Sequence, residues 1–104
     1  MAVLVLAEHD NENFKSSTYN TITAANKLSD DIHLLILGNN IEDLSNKAKS
    51  IHLLKKVIIC DHEKLKNPIP EISSPIISKL AENYSHILVP SSTFGKNILP
   101  RISA

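Results

Sequence analysis

Side chains able to do chemistry fall at a few places along this chain of 104 residues. His9-Asp10 and Cys60-Asp61-His62 bring together imidazole, carboxylate and thiol, the donor types that hold transition metals. Neither group has the spacing of a ligand set, and such residues are ordinary in strand-to-helix turns, so solvated turns are the expectation. Glu8 and the hydroxyls of Ser91, Ser92 and Thr93 are expected to meet at one edge of a sheet, where a polar ligand or a hydrogen-bonded turn are both open readings. Gly95-Lys96 resembles the end of a phosphate-binding loop. Pro90 stands where that loop needs a glycine, however, and Asn97 where it needs serine or threonine. Gly38 and Gly95 are the only glycines, which excludes a GxGxxG dinucleotide fingerprint. Cys60 closes an apolar run and reads as a small buried hydrophobe rather than a nucleophile. His33 and His52 are expected on the surface, and His86 at the head of a strand. No catalytic, cofactor-binding or metal-binding residue is assigned to this chain.

The elements that must position these groups alternate in type. Ala2–Ala7 is an unbroken apolar run, as in a parallel strand covered on both faces. Phe14–Leu28 carries Phe14, Ile22, Ala25 and Leu28 at helical spacing, in a threonine-rich segment of modest helix propensity. Ile32–Leu37 is a second buried-type strand closed by Gly38-Asn39-Asn40. Ile41–Ala48 predicts a short helix, capped by Asn40 with Asp43 at its third position. Lys56–Cys60 predicts a third strand. The prolines at 68, 70 and 75 predict a loop, with Pro75 as the first residue of a helix capped by Ser74 and running to about Asn83. His86–Val89 predicts a fourth strand, and Phe94–Ala104 the start of another helix. The pattern is that of an α/β domain with a parallel sheet. The expected strand order is 3-2-1-4, with helices on both faces. Phe94, Ile98 and Leu99 form an apolar face that needs further cover, so the expectation is an α/β domain incomplete at its C-terminus and prone to self-association.

Composition excludes several function classes. Lysine plus arginine equals aspartate plus glutamate at 11 each, so no net field draws the chain to nucleic acid or anionic lipid. Arg101 is the only arginine, which argues against a surface built to grip phosphates bidentately. A single cysteine permits no internal disulfide and fits a reducing compartment. The first apolar run is too short to span a bilayer.

A resemblance carries the reading further. "MAVLVLAEHDNENFKSSTYNTITAANKL", "IHLLILG" and above all "HILVPSSTFGKNILPRISA" resemble the alpha subunit of electron transfer flavoprotein along the whole chain. Cys60 departs from the alanine or similar small residue usual there, and the loop from Pro68 to Pro75 is variable ground. The resemblance implies an adenine-nucleotide alpha-hydrolase-like α/β fold, with residues 1–104 forming the front of an N-terminal domain and a separate FAD-binding domain absent. It implies a heterodimeric electron carrier rather than an enzyme. That carrier pairs with a beta subunit and takes electrons from acyl-CoA and related dehydrogenases, as in fatty acid beta-oxidation. It passes them to a quinone oxidoreductase of the respiratory chain. FAD belongs to the full-length heterodimer, and none is expected on this segment, whose role is scaffold and subunit contact. No transit peptide is visible, so bacterial cytoplasm is expected over the mitochondrial matrix. The alternative is a stand-alone nucleotide-binding α/β module resembling universal stress proteins, although the glycine-rich loop of that family is missing.

Overall fold

The computed structural model describes residues 2–67 and 69–90. Strand β1 (Val3–Leu6) consists of four aliphatic residues, each at most 2% exposed. A strand with no polar face must be covered on both sides, and parallel pairing with helical crossovers does this. β1 pairs in parallel with β2 (Ile32–Gly38) on one edge and with β4 (His86–Leu88) on the other. β3 (Leu54–Asp61) extends the sheet from β2, giving the order β3-β2-β1-β4. The expected order 3-2-1-4 is therefore observed.

Alternation along the central strands divides the core in two. Val3 and Val5, with Ile32, Leu34 and Ile36, face the helices α1 (Ser16–Asn26) and α2 (Glu42–Ala48), meeting Ile22, Ala25, Leu44 and Ala48. Leu4, Leu6 and Leu35 face the other way, onto Ile77 of α3 (Pro70–Ala81). Helices thus lie on both faces, as the alternation predicts.

Several expected boundaries move. α3 begins at Pro70, not Pro75, and its N-cap position is Ile69 without a side-chain cap. A proline at the first helical position loses nothing, because that N–H has no intrahelical acceptor. Pro75 lies inside the helix, where it forfeits one ladder hydrogen bond. Ile77, fully buried against Leu4, Leu6 and Leu35, supplies packing that offsets that loss. Asn40 does not cap α2. Its φ is 58°, and the N-cap position is Ile41 with no side-chain bond of its own. Phe14 is buried but precedes α1 in an isolated antiparallel bridge with His9. Leu28 follows the helix and is 55% exposed. In their place, Thr18 is fully buried four residues before Ile22. The expected helix start at Phe94–Ala104 and its apolar face lie outside the described residues.

His33 is likewise not a free surface residue. Its Nε2 donates to the Asp31 carboxylate at 3.0 Å, and its Nδ1 accepts from the Tyr84 hydroxyl at 2.7 Å. The two rings meet edge to face at 5.2 Å. Burial, then the negative charge of Asp31, pushes the Tyr84 phenol above its usual range, which keeps it protonated and donating. This chain of bonds ties the turn before β4 to the start of β2, fixing the amino end of the sheet.

Ile77→Ala removes the central contact of α3 with the sheet. It is expected to destabilise the fold by about 2–5 kcal/mol. In urea unfolding, the midpoint should fall while the slope stays unchanged.

Candidate functional site at the carboxyl edge of the sheet

In parallel α/β sheets, ligands bind outside the carboxyl ends of the strands, so the turns after β1, β2 and β3 form the place to look. The turn after β1 is built first by a threonine. The Thr18 hydroxyl donates to the Glu8 carbonyl at 2.7 Å and accepts from the Glu8 N–H at 2.8 Å. One buried side chain thereby satisfies both backbone groups of the residue leaving the strand, and it anchors the first turn of α1, which has no side-chain cap. The sequence carries the signal, since Thr18 stands one helical turn before Ile22, but a hydroxyl in an apolar stripe does not by itself read as buried.

His9 bridges to β2. Its Nε2 lies 2.8 Å from the Leu37 carbonyl, which can only accept, so Nε2 carries the proton. Nδ1 is then free to accept from the Asn11 N–H at 3.0 Å. Asn11 adopts φ 77°, a left-handed conformation that asparagine tolerates better than most residues, and its side-chain amide donates to the Asn39 carbonyl at 3.0 Å. Asp10 closes the turn on itself: one carboxylate oxygen accepts from the N–H groups of Glu12 at 3.0 Å and Asn13 at 2.8 Å. These bonds hold the Asp10 carboxyl below its usual range. Lys47, on α2, donates to the Glu12 carbonyl and, at 2.7 Å, to the Asn13 side chain.

The third strand contributes the cap that Asn40 does not provide. Asp61 accepts from the N–H groups of Asn40 at 2.8 Å and Ile41 at 3.2 Å, one on each carboxylate oxygen. A carboxylate thus sits at the amino end of α2, where both the orphan N–H groups and the helix dipole favour it. His62 donates its N–H to the Gly38 carbonyl at 2.9 Å, and its Nδ1 accepts from the Lys64 N–H at 3.0 Å. Cys60 is half-buried within β3.

Asp10, Asp61 and His62 are exposed, as expected of turn residues, while His9 is half-buried, and backbone hydrogen bonds order both groups. Both nitrogens of His9, both oxygens of Asp61 and Nδ1 of His62 are engaged by the protein's own backbone. Among the described residues, no group of three histidine, cysteine or acidic side chains is placed to hold a metal ion. Glu8 differs from the rest: Oε1 receives a long 3.5 Å bond from Ser17, and Oε2 is buried with no partner among the described residues. The serines and threonine expected beside it, Ser91, Ser92 and Thr93, lie outside the described residues.

Gly38 shows how tightly this edge is closed. A Cβ there would stand 2.7 Å from the Ile41 methyl carbon Cγ2, 3.1 Å from His9 Cε1 and 3.3 Å from His9 Nε2. Gly38 is required by close approach to its neighbours.

Parallel strands joined by helical crossovers define the class: an α/β domain. The electron transfer flavoprotein domain family matches residues 3–104, and the chain belongs to that family. The electron transfer flavoprotein subunit alpha of Pseudomonas aeruginosa is 40% identical over 104 residues, covering 100% of this chain and 34% of that protein. The mitochondrial alpha subunit of Dictyostelium discoideum is 39% identical, covering 97% of this chain and 31% of the relative. The probable mitochondrial alpha subunit of Caenorhabditis elegans is 36% identical, covering 99% and 32%. The chain spans about a third of the length of these relatives.

Gly38→Ala is expected to cost about 1–3 kcal/mol by overpacking, read as a lowered thermal midpoint. The Leu37 and Asn11 contacts of His9 should loosen with it, read as faster amide exchange at Asn11. Asp10→Asn should be less stable than the parent at neutral pH. The folded carboxyl is depressed, so its contribution is present above the unfolded value of about 3.9 and disappears as pH falls through the folded value. The gap between variant and parent should therefore close on acidification, in parallel denaturation curves.

Proposed function

We propose that this chain is one α/β module of the alpha-type subunit of a heterodimeric, FAD-containing electron carrier. Its part in that carrier is scaffold and contact with a beta-type subunit, and the flavin is held by residues outside Met1–Ala104. The observation that carries this reading is the family match across residues 3–104, supported by relatives named as alpha subunits of electron transfer flavoprotein. The whole carrier takes electrons from acyl-CoA and related dehydrogenases and delivers them to a quinone oxidoreductase. The bacterial cytoplasm is its compartment. No helix among the described residues is long and apolar enough to cross a membrane.

The described residues do not fit a flavin dinucleotide. A pyrophosphate needs close backbone approach at glycine and free N–H groups at a helix start. Gly38 is crowded by Ile41 and His9, and the start of α2 is already occupied by the Asp61 carboxylate. The chain therefore carries out no chemical step of its own in this proposal. A stand-alone nucleotide-binding module is less well supported for the same reason, and because the relatives are alpha subunits.

Titration with FAD, followed by flavin fluorescence, tests the division of labour. The 104-residue chain alone should be colourless and leave the fluorescence unchanged, whereas the whole alpha-type subunit with its beta-type partner should bind FAD. Stoichiometric binding by the chain alone would overturn the assignment of the flavin to another part of the protein.

A further inference from the structure

The chain has two tyrosines and no tryptophan, so its readily oxidised rings are easily compared. Tyr19 is 46% exposed, its ring edge-on to Phe14, and among the described residues no base stands beside its hydroxyl. Tyr84 is different. Its ring is half-buried against the half-core of Leu4, Leu6, Leu35 and Ile77, and its hydroxyl donates to His33 Nδ1 at 2.7 Å. Nε2 of the same imidazole donates to the Asp31 carboxylate at 3.0 Å. A carboxylate can only accept, so the proton of the neutral ring sits on Nε2 and the lone pair on Nδ1 faces the phenolic proton. Phenol, base and carboxylate therefore stand in one line.

Anchoring the amino end of the sheet needs only a hydrogen-bond acceptor for Tyr84, and this site supplies a base. A phenol stripped of an electron becomes a strong acid, so it is oxidised readily only where a base within hydrogen-bond reach takes the proton at once. Imidazole accepts and returns a proton near neutral pH, and the carboxylate behind it favours the imidazolium that results. Burial and the charge of Asp31 keep the phenol protonated at rest, so oxidation starts from the phenol and not from phenolate. We propose that Tyr84 is a proton-coupled redox site, the side chain of this module that gives up an electron to high-potential one-electron oxidants such as peroxide-derived radicals. The oxidant gains the electron, the phenolic O–H bond breaks and an N–H bond forms at His33 Nδ1. The products are a neutral tyrosyl radical and an imidazolium paired with Asp31, one unit more positive than before, as the departed electron requires. A mild one-electron reductant such as ascorbate reverses the step, its electron and the proton held by His33 restoring the phenol. The site lies at the opposite end of the sheet from the turns described above, and its step uses no flavin.

Laser-flash photolysis of the 104-residue chain with a ruthenium(II) tris-bipyridine complex and an electron-accepting quencher generates the oxidant, ruthenium(III), in the sample. A tyrosyl radical should appear in transient absorption and form more slowly in deuterium oxide. In freeze-quenched, high-field EPR it should show the lowered g-value of a radical hydrogen-bonded to a cation. Tyr19→Phe should keep this signal, and Tyr84→Phe should lose it. His33→Gln still offers Tyr84 an acceptor but no basic nitrogen. It should lose most of the signal, with unaltered amide dispersion in NMR verifying the fold. A signal that survives Tyr84→Phe, or full yield from a folded His33→Gln, would overturn the proposal. In the parent protein alone, equal rates in both solvents, an EPR spectrum of an unbonded radical, or a thiyl radical on Cys60 as the first species would do the same.

Discussion

Every other feature of this domain follows from the burial of β1. Its four residues are shielded on both faces, and both of its edges are paired with parallel strands. Parallel neighbours cannot be joined by tight turns, so the chain must cross over the sheet between strands, and the crossovers are the helices that cover its faces. The apolar side chains alternate between two half-cores, one under α1 and α2 and one under α3. Fixing β1 thereby fixes where each helix lies and where each strand ends.

Strand ends carry a cost that this protein meets with side chains. Backbone groups leaving a buried sheet need partners, and here Thr18, His9, Asp10 and Asp61 supply them across three successive turns. Both nitrogens of His9, one oxygen of Asp10 and both oxygens of Asp61 are thus engaged in ordering these turns. Beside Gly38, at the end of β2, Ile41 and the His9 ring occupy the space that a closely approaching ligand would need. Membership of the electron transfer flavoprotein family is compatible with such a module, since in a protein about three times this length structure and redox chemistry need not share one segment.

The two ends of the sheet are secured differently. At the carboxyl end, side chains satisfy backbone groups of neighbouring turns. At the amino end, Asp31, His33 and Tyr84 satisfy one another in a line that joins the start of β2 to the turn before β4. The Tyr84 and Asp10 shifts have different causes: burial and then the negative charge of Asp31 disfavour the phenolate, whereas the Asn13 and Glu12 N–H groups favour the Asp10 carboxylate.

Hydrophobic patterning in the sequence marked the strands and pointed to a parallel sheet covered on both faces, because burial on two sides leaves a run of aliphatic residues at Val3–Leu6 and Ile32–Leu37. The block from His86 to Ala104 also carried the family resemblance by itself. Local rules failed where a distant residue took over a local task. Asn40 has the composition of a cap, but Asp61, 21 positions away in the chain, reaches the same N–H groups once β3 is paired beside β2. Pro75 reads as a helix start, yet Ile77 packed on Leu4, Leu6 and Leu35 holds the helix through it. His9 and His33 read as solvent-facing, and only the folded sheet brings the Leu37 carbonyl and the Tyr84 hydroxyl to their rings. Such bonds join groups far apart in sequence, whose meeting depends on strand order and register, so no window of neighbouring residues could contain them.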